Sequence, residues 1–380
     1  MERIVKYNPA TLELVGELDS TPLNDIPLIL QRSRAAQAEW AARPLAERRR
    51  TLKRLQEHVA SNVDSIAKVV CQETGKPRVE AINADLMTSL SAAMYSVERM
   101  PSLFRPRAVG FGKPSIMMRY LRRHSYIQPR PLGVVAIIAP WNYPFGIPFS
   151  QAVMAVAAGN AVVLKPSPEA PFTGLEVQKA FIAAGAPEGL VQVVIGNGSE
   201  AGNALASSDV DRVIFTGSTE VGRKVMAAAV QRLNPVTMEL GGKDPMVVMG
   251  DADLPRASAA AAWGCYVNAG QTCACIKRIY VHESVYQPFL EMFSESVSRI
   301  KLGYGWDDPE VGMGPLISDR AVKGMEAQVA RAVEQGGKVL FGGRRPDMKG
   351  HFFEPTAIVD APQSSDIVQK ETFGPIVAIL

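Results

Sequence analysis

Histidine and cysteine are both scarce in this sequence, which contains 4 of each among its 380 residues. So few cysteines, irregularly spaced, cannot form a disulfide framework, and such a chain is typical of a reducing compartment. The scarcity also argues against a zinc site, because no closely spaced cysteine and histidine pairs supply a set of four ligands. We therefore expect no bound metal, and we expect a cytoplasmic protein.

The sequence also lacks a long apolar run and a strong excess of charge. Its longest apolar stretch, GVVAIIAPWNYPFGIPF, contains prolines and an asparagine, and its N-terminus is charged where a signal peptide is apolar. The 41 basic and 38 acidic residues give a formal net charge of +3. This balance gives no electrostatic reason to expect nucleic acid or a membrane surface as a partner.

What the sequence does contain is an alternation of strand and helix patterns. Helical spacing dominates from Asn24 to about Met100, and from Gly133 onward buried-type strands such as GVVAIIAP and AVVLKPS alternate with helices. Strands separated by helices in this way form parallel βαβ units. We therefore predict an α/β protein with a Rossmann-like doubly wound sheet, followed from near Val236 by a second α/β segment.

Three polar side chains lie at or near the carboxyl ends of predicted strands, where open α/β sheets bind ligands. Asn142 could donate an amide hydrogen to an oxyanion, or it could belong to an ordinary turn. Lys165 could hold a ribose hydroxyl or a phosphate, or it could be a solvated loop lysine. Glu239, flanked by apolar residues, could act as a general base, or it could be a surface residue beside a turn.

The stretch FTGSTEVG follows one predicted strand and opens a helix. Gly217 and Gly222 let the backbone turn tightly, and the helix N-terminus offers unpaired N–H groups to a phosphate. Ser218 could equally do no more than cap that helix. This stretch alone leaves both interpretations open.

Cys273 and Cys275 stand one residue apart in VNAGQTCACIKR. A C-x-C pair without a nearby histidine lacks a metal ligand set, and the short spacing strains a disulfide. A nucleophilic cysteine is the remaining possibility, although no histidine stands in a glycine-rich motif to activate it. We expect its partner to be Glu239, acting through a water molecule.

In this order and over nearly the whole chain, PWNYP, KPS, FTGSTEVG, MELGGK, GQTC and ETFGP resemble the motifs of the aldehyde dehydrogenase superfamily. The resemblance implies oxidation of an aldehyde to a carboxylic acid with NAD or NADP. Cys273 would attack the aldehyde to give a thiohemiacetal, Asn142 and the Cys273 backbone N–H would hold the oxyanion, and Glu239 would activate the water that hydrolyses the thioester. Glu239 also argues against the branch of the family that acylates coenzyme A.

The cofactor contacts that the resemblance implies are Trp141, Lys165, Gly217, Ser218, Gly222, Glu371 and Phe373. Cys275 has no role in this scheme and is expected to be small apolar filler. The implied domains are a dinucleotide-binding domain over 1–114 and 131–237 and a catalytic domain over 238–380.

The sequence departs from the family pattern in two places that bear on ligands. Pro168 stands where a glutamate usually binds the adenosine ribose, and Glu169 follows one position too late, so NADP or dual use becomes a hypothesis. No arginine follows PWNYP to bind a substrate carboxylate. Phe145, Ile147 and Phe149 therefore predict an apolar aldehyde as the small-molecule partner.

A third departure concerns the end of the chain, where FGPIVAIL predicts a strand that stops at Leu380. Family members continue beyond this point. We expect a C-terminally truncated chain that keeps every catalytic residue but lacks the strand that completes the oligomerisation hairpin at 115–130. The family implies a homo-oligomer, which such a truncation would weaken.

A non-enzyme is the alternative to an active dehydrogenase. An inactive truncated relative would retain cofactor binding alone, but it would have no chemical reason to keep Cys273, Glu239 and Asn142 together. A cysteine hydrolase or thiolase without nicotinamide would leave FTGSTEVG and KETFGP unexplained.

Overall fold

The structure is a computed structural model that describes residues 2–109, 120–121 and 125–380. The strands of this part are β1 (Arg3–Tyr7), β2 (Leu14–Asp19), β3 (Arg107–Ala108), β4 (Tyr126–Ile127), β5 (Val134–Ile138), β6 (Ala161–Lys165), β7 (Val191–Val193), β8 (Arg212–Thr216), β9 (Val236–Glu239), β10 (Asp244–Val248), β11 (Ile276–Val281), β12 (Lys301–Leu302), β13 (Val311–Met313), β14 (Lys338–Phe341), β15 (Thr356–Val359) and β16 (Ile376–Ile379). Its longer helices are Ile26–Ala42, Leu45–Ser61, Val63–Thr74, Thr88–Leu103, Gly146–Ala157, Pro171–Ala183, Gly198–Ala206, Thr219–Val230, Leu254–Tyr266, Tyr286–Ser298 and Asp319–Glu334.

One five-stranded sheet has the order β7-β6-β5-β8-β9, and all its strands run parallel. Every residue of β5 and β6 is buried, as their uninterrupted apolar sequences predict. The helices Ile26–Ala42 and Gly146–Ala157 pack against β6, and the buried Trp40 donates its indole N–H to the carbonyl of Val156 at 2.8 Å. The predicted doubly wound sheet is confirmed, and its chain order reverses between β5 and β8, where such sheets bind ligands.

A second five-stranded sheet has the order β10-β11-β16-β15-β14, in which β14 is antiparallel to β15 and the other pairs are parallel. Its own hydrophobic core includes Phe289, Phe293 and Phe353. The wholly buried β16 occupies the centre of this sheet. The strand predicted for the last residues of the chain is therefore confirmed.

One strand belongs to a different sheet than the sequence suggested. β9 pairs with β8, with Thr216 opposite Glu239, so the second α/β segment begins at β10 and not near Val236. The sequence did not separate the two strands because only a short glycine-containing stretch lies between them. The domain limits stay a prediction, and the expected boundary at 237/238 falls inside β9.

Half of the expected oligomerisation hairpin at 115–130 lies outside the described residues. Its described part contains β4, which forms a short antiparallel ladder with β3 that pairs Arg107 with Ile127, and the homo-oligomer stays a prediction. Within the described ranges, no helix is long and apolar enough to cross a membrane. The same ranges hold no group of three histidine, cysteine or acidic side chains placed to bind a metal ion.

Candidate active site

A cavity of about 250 Å³ opens between the two sheets. Its lining residues are Pro140, Trp141, Asn142, Ile147, Thr216, Gly217, Ser218, Glu239, Leu240, Gly241, Cys273, Glu371 and Phe373. Most residues that the sequence singled out are thus brought together around one space. Lys165 and Gly222 are not part of this lining.

The sheet topology explains the convergence. Pro140–Asn142, Gly217–Ser218 and Glu239 lie at or just after the carboxyl ends of β5, β8 and β9, around the point where the chain order reverses. Cys273 lies just before β11 and Phe373 just before β16, and these two strands are neighbours in the second sheet. The cavity therefore joins the carboxyl edge of one sheet to the amino edge of the other.

Cys273 follows a turn with an unusual backbone. Asn268, Ala269 and Gly270 have φ values of 54°, 53° and 69°, in the left-handed region that disfavours residues with a Cβ. A Cβ on Gly270 would lie 2.2 Å from the carbonyl oxygen of Gly374. The turn thus brings the cysteine segment directly against the segment that carries Phe373, and it leaves Cys273 exposed.

Cys275 is buried and is not part of the cavity lining. Its Sγ lies 2.9 Å from the carbonyl oxygen of Gly264 and 3.1 Å from that of Cys265. Burial raises the pKa of this thiol, which favours the protonated form. The two cysteines of the motif are therefore one exposed thiol and one buried thiol, in agreement with the expected filler role of Cys275.

The amide of Asn142 has a fixed orientation. This residue is buried, and its Nδ2 donates to the carbonyl of Gln271 at 3.1 Å. A primary amide has two N–H bonds, and within the described residues the second one has no acceptor. The backbone N–H of Cys273 has no acceptor in these residues either. Two N–H donors are therefore available to a ligand oxygen in the cavity.

Glu239 is exposed at the cavity, and two glycines follow it. A Cβ on Gly241 would lie 2.2 Å from the carboxylate oxygens of Glu371, and one on Gly242 would lie 3.0 Å from the carbonyl oxygen of Cys273. A Cβ at Gly241 would displace the Glu371 carboxylate, and one at Gly242 would press on the backbone of the cysteine segment. These close approaches bring Glu239, Glu371 and Cys273 around the same cavity.

The FTGSTEVG segment caps its helix and also faces the cavity. The Ser218 Oγ accepts the N–H of Val221 at 3.3 Å, while Ser218 itself lines the cavity, so capping does not exclude ligand binding. Gly222 lies further along this helix, and a Cβ there would lie 2.7 Å from the side chain of Leu240. Gly222 therefore allows the helix to pack closely on the MELGGK segment.

Phe373 and Glu371 form the opposite wall. The ring of Phe373 meets that of Trp141 edge to face, with centroids 5.6 Å apart. Burial raises the pKa of Glu371. Lys243 donates from Nζ to the Thr372 hydroxyl at 2.9 Å, and burial lowers the pKa of Lys243 to about 7.

Lys165, at the carboxyl end of β6, is only 2% exposed and is not a solvated loop lysine. Its Nζ donates to the carbonyl of Pro166 at 3.1 Å, and no carboxylate pairs with it in the described part of the chain. Burial lowers the pKa of Lys165 to about 8. The nearby Glu169 instead pairs with Lys6 of β1 at 2.9 Å, so its carboxylate points away, as its offset from the family position predicted.

Phe145 and Phe149 do not line the cavity, so this part of the sequence interpretation is wrong. Both are completely buried, their rings stack with centroids 4.9 Å apart, and Phe149 packs on Phe181. Residues four apart lie on the same face of a helical segment, and here that face points into the core. Ile147 lies between them and does line the cavity.

Two buried lysines beside the site escaped the sequence analysis. Lys76, in ETGKP, is 2% exposed and forms an ion pair with Asp85 at 2.9 Å. Lys277 is also 2% exposed, and its Nζ donates to the carbonyls of Gly270 at 2.8 Å and Gly374 at 2.7 Å. Lysine is rarely buried, and neither Lys76 between Gly75 and Pro77 nor Lys277 between Ile276 and Arg278 shows a local pattern that predicts these contacts.

A doubly wound sheet, an exposed cysteine and free N–H donors around one cavity define a class of enzyme that combines nucleotide binding with thiol chemistry. The sequence profile of the aldehyde dehydrogenase family matches residues 1–380, and the chain belongs to this family. It oxidises an aldehyde to the carboxylic acid with NAD or NADP, as the motifs predicted.

The relatives cover this chain almost completely. It is similar to 3,6-anhydro-alpha-L-galactose dehydrogenase of Vibrio sp. (strain EJY3), with 35% identity over 98% of this chain and 77% of the relative. It is also similar to succinate-semialdehyde dehydrogenase (NADP(+)) of Escherichia coli, with 34% identity over 99% of this chain and 76% of that one. The solved NAD+ complex of aldehyde dehydrogenase from Bacillus cereus matches with a TM-score of 0.94 and 31% identity, covering 100% and 76% of the two chains.

We expect Gly270→Ala to lower the free energy of unfolding by about 2 kcal/mol or more and to reduce aldehyde oxidation, because its Cβ overlaps the carbonyl of Gly374. Chemical denaturation and steady-state kinetics measure the two effects. Gly324→Ala is the matched control, since a Cβ there meets nothing within 4 Å and alanine favours its helix. A Gly270→Ala protein as stable and active as this control would contradict the prediction.

Proposed function

We propose that Cys273 is the nucleophile of this aldehyde dehydrogenase. Its thiolate attacks the aldehyde carbon and forms a thiohemiacetal, whose oxyanion accepts the free amide N–H of Asn142 and the backbone N–H of Cys273. The observation that carries this assignment is the exposed thiol, which lies in the same cavity as two unused donors.

A bound NAD or NADP would supply the nicotinamide that takes the hydride from the thiohemiacetal carbon, which would leave a thioester on Cys273. Glu239 then takes a proton from a water molecule, the oxygen attacks the thioester, and the Cys273 thiolate leaves as the acid forms. Glu239 suits this role because its exposed carboxylate has no hydrogen-bond or ion-pair partner within the described ranges. It can therefore hold a water molecule.

Residues of this chain fit a dinucleotide at the edge of the first sheet. The N-terminus of the helix Thr219–Val230, capped by Ser218, faces the cavity and suits a pyrophosphate. Lys165 lies at the end of β6, which pairs with β5. It supplies a buried ammonium that has no carboxylate partner among the described residues. Trp141 and Phe373 border the space on the side of Cys273.

We expect Cys273→Ala to abolish formation of the reduced nicotinamide, because no thiohemiacetal can form. In Glu239→Gln the first turnover should persist as a burst, while steady-state turnover falls by about 10²-fold or more, since only deacylation needs the base. Stopped-flow absorbance of the reduced ring separates the two phases.

Cys275→Ala is the control for this prediction, since it removes a thiol of the same motif that does not reach the cavity. It should retain the burst and the turnover. Sustained turnover by Cys273→Ala, or loss of the burst in Cys275→Ala alone, would reassign the nucleophile.

We further propose that the site accepts NADP as well as NAD. A carboxylate that binds the adenosine ribose would repel a 2′-phosphate, and here Pro168 offers none while Glu169 is neutralised by Lys6. The buried Lys165 ammonium favours an anion. Similar proteins named for NADP(+) include the Escherichia coli succinate-semialdehyde dehydrogenase and the D-glyceraldehyde dehydrogenase of Picrophilus torridus.

We expect Pro168→Glu to shift the ratio of kcat/KM for NADP over NAD by about tenfold or more toward NAD, because it restores the repelling carboxylate. Glu169→Gln should leave the ratio unchanged. The Kd of NADP should weaken as the pH rises above about 8, where Lys165 loses its proton, and the Kd of NAD should change less. A wild-type enzyme that uses NAD alone would refute dual use.

The lining of the cavity favours an apolar aldehyde. Trp141, Ile147, Leu240 and Phe373 contribute apolar surface, and the lining residues include no lysine or arginine. Its two carboxylates, Glu239 and Glu371, would repel a substrate that carries its own carboxylate. We therefore propose an uncharged apolar aldehyde as the substrate class.

A panel that contains hexanal, benzaldehyde and succinic semialdehyde tests this assignment. We expect kcat/KM for the two apolar aldehydes to exceed that for the semialdehyde acid by at least about tenfold, which corresponds to roughly 1.4 kcal/mol. Ile147→Arg should reduce or reverse this preference in kcat/KM, because it adds a positive charge to the cavity wall. A wild-type preference for the semialdehyde acid would contradict the proposal.

A further inference from the structure

A buried ion pair lies behind the cavity wall and takes no part in the chemistry described above. Lys76 and Asp85 have side chains that are 1% and 0% exposed, and their Nζ and Oδ2 atoms are 2.9 Å apart. Both residues precede β5, which is the first strand of the doubly wound sheet in chain order. Neither side chain is among the residues that line the cavity.

The pair holds the segment that carries Asn142. The Nζ of Lys76 donates to the backbone carbonyl of Asn142 at 2.6 Å and lies 4.4 Å from the centre of the Tyr143 ring. The Oδ1 of Asp85 accepts the N–H groups of Phe145 at 3.2 Å and Gly146 at 2.9 Å. Four of the five consecutive residues 142–146 thus contact one buried ion pair.

The same segment is tied to the loop before the nucleophile. The carbonyl that accepts Lys76 also accepts the Asn268 side chain at 3.1 Å, while the Asn142 side chain donates to Gln271 at 3.1 Å. The Tyr143 hydroxyl lies 2.7 Å from the hydroxyl of Thr272, which directly precedes the proposed nucleophile. The ion pair is therefore connected to both groups that would contact the oxyanion.

A second contact leads from the Lys76 segment to this loop. Glu80 accepts the backbone N–H of Asn268 through Oε1 at 2.8 Å. This bond engages the first residue of the left-handed run Asn268–Gly270. The ETGKPRVE stretch thus makes two contacts around the proposed oxyanion site. Lys76 binds the carbonyl of Asn142, and Glu80 binds the N–H of Asn268.

We propose that Lys76 is a positioning residue, which sets the spacing between the Asn142 amide and the Cys273 thiol through the Asn142 carbonyl and the Tyr143–Thr272 contact. The inference rests on the proposed roles of Asn142 and Cys273. A buried ion pair adds little net stability compared with apolar side chains of the same size. Its distinctive property is direction, because the ammonium places several N–H donors on fixed acceptors. Misplacement of reacting groups by about 1 Å lowers rates by roughly 10²-fold.

Lys76→Met tests the proposal, because methionine keeps the length of the side chain and removes its donors. We expect the rate constant of the first-turnover burst to fall by about tenfold to a hundredfold. The Kd of the cofactor should stay within about twofold of the wild-type value. Circular dichroism gives the folded fraction, and stopped-flow absorbance gives the burst.

A structural role alone would produce a different pattern. If Lys76 only stabilised the fold, the folded fraction would fall while the folded molecules kept the wild-type burst rate constant, and this result would overturn the proposal. Arg34→Met is the control for loss of an ion pair away from the cavity, because Arg34 and Asp211 lie 2.9 Å apart at the amino end of β5, with side chains 38% and 31% exposed. It should leave the burst rate constant unchanged.

Two milder variants decide the matter if Lys76→Met does not fold. Tyr143→Phe and Thr272→Val each remove one partner of the same hydroxyl contact, and each should slow the burst severalfold. Their effects should not add in the double variant, because both break one bond. Unchanged burst rates in both variants would refute the positioning role. Turnover by Cys273→Ala would instead refute the proposed nucleophile, so the two failures are distinguishable.

Discussion

The crossing of the chain from one sheet to the other through Gly241 and Gly242 is the constraint on which the site depends. β9 ends at Glu239 in the first sheet, and β10 begins at Asp244 in the second. Between them the backbone passes so close to Glu371 and to the Cys273 carbonyl that a Cβ would overlap the first and crowd the second. A side chain at Gly242 would press on the backbone of the cysteine segment, and one at Gly241 would displace the Glu371 carboxylate from the cavity wall. Glycine therefore allows the groups of both sheets to share one cavity.

Two buried lysines bind backbone carbonyls of the loops around the cavity. Lys277 donates to the carbonyls of Gly270 and Gly374, and Lys76 donates to the carbonyl of Asn142 and to Asp85. An ammonium concentrates three N–H donors in a small volume, so one side chain can satisfy acceptors from separate segments. Because desolvation penalises the charge, such a lysine is stable only when these acceptors stay in place. The loops around the cavity are thereby fixed relative to each other.

The doubly wound sheet and the motifs that meet at the cavity could be predicted from the sequence because their signals are local. β5 and β6 are unbroken apolar runs, and Asn142, Glu239 and Cys273 stand in short motifs next to glycine or proline. The sheet to which β9 belongs could not be predicted, because strand pairing depends on distant parts of the chain.

The direction in which some side chains point also could not be predicted from the sequence. The sequence predicted that Phe145 and Phe149 line the substrate pocket. Their helical spacing instead places both side chains in the core and leaves Ile147 at the cavity. Lys76 gave no signal at all, since its partner Asp85 and its acceptor on Asn142 meet it only in the folded chain. Sequence motifs identify groups that react, whereas groups that position them are visible only through packing.

The charges around the cavity have a consequence for release of the product. The substrate enters as a neutral aldehyde and leaves as a carboxylate, while the ionisable groups of the lining are Glu239, Glu371 and Cys273. None of these groups carries a positive charge that would hold the product. Two carboxylates at the wall raise the free energy of a bound acid anion relative to a bound aldehyde. The lining therefore favours release of the product over its retention, and the repulsion invoked in the proposed substrate preference would also assist turnover of neutral aldehydes.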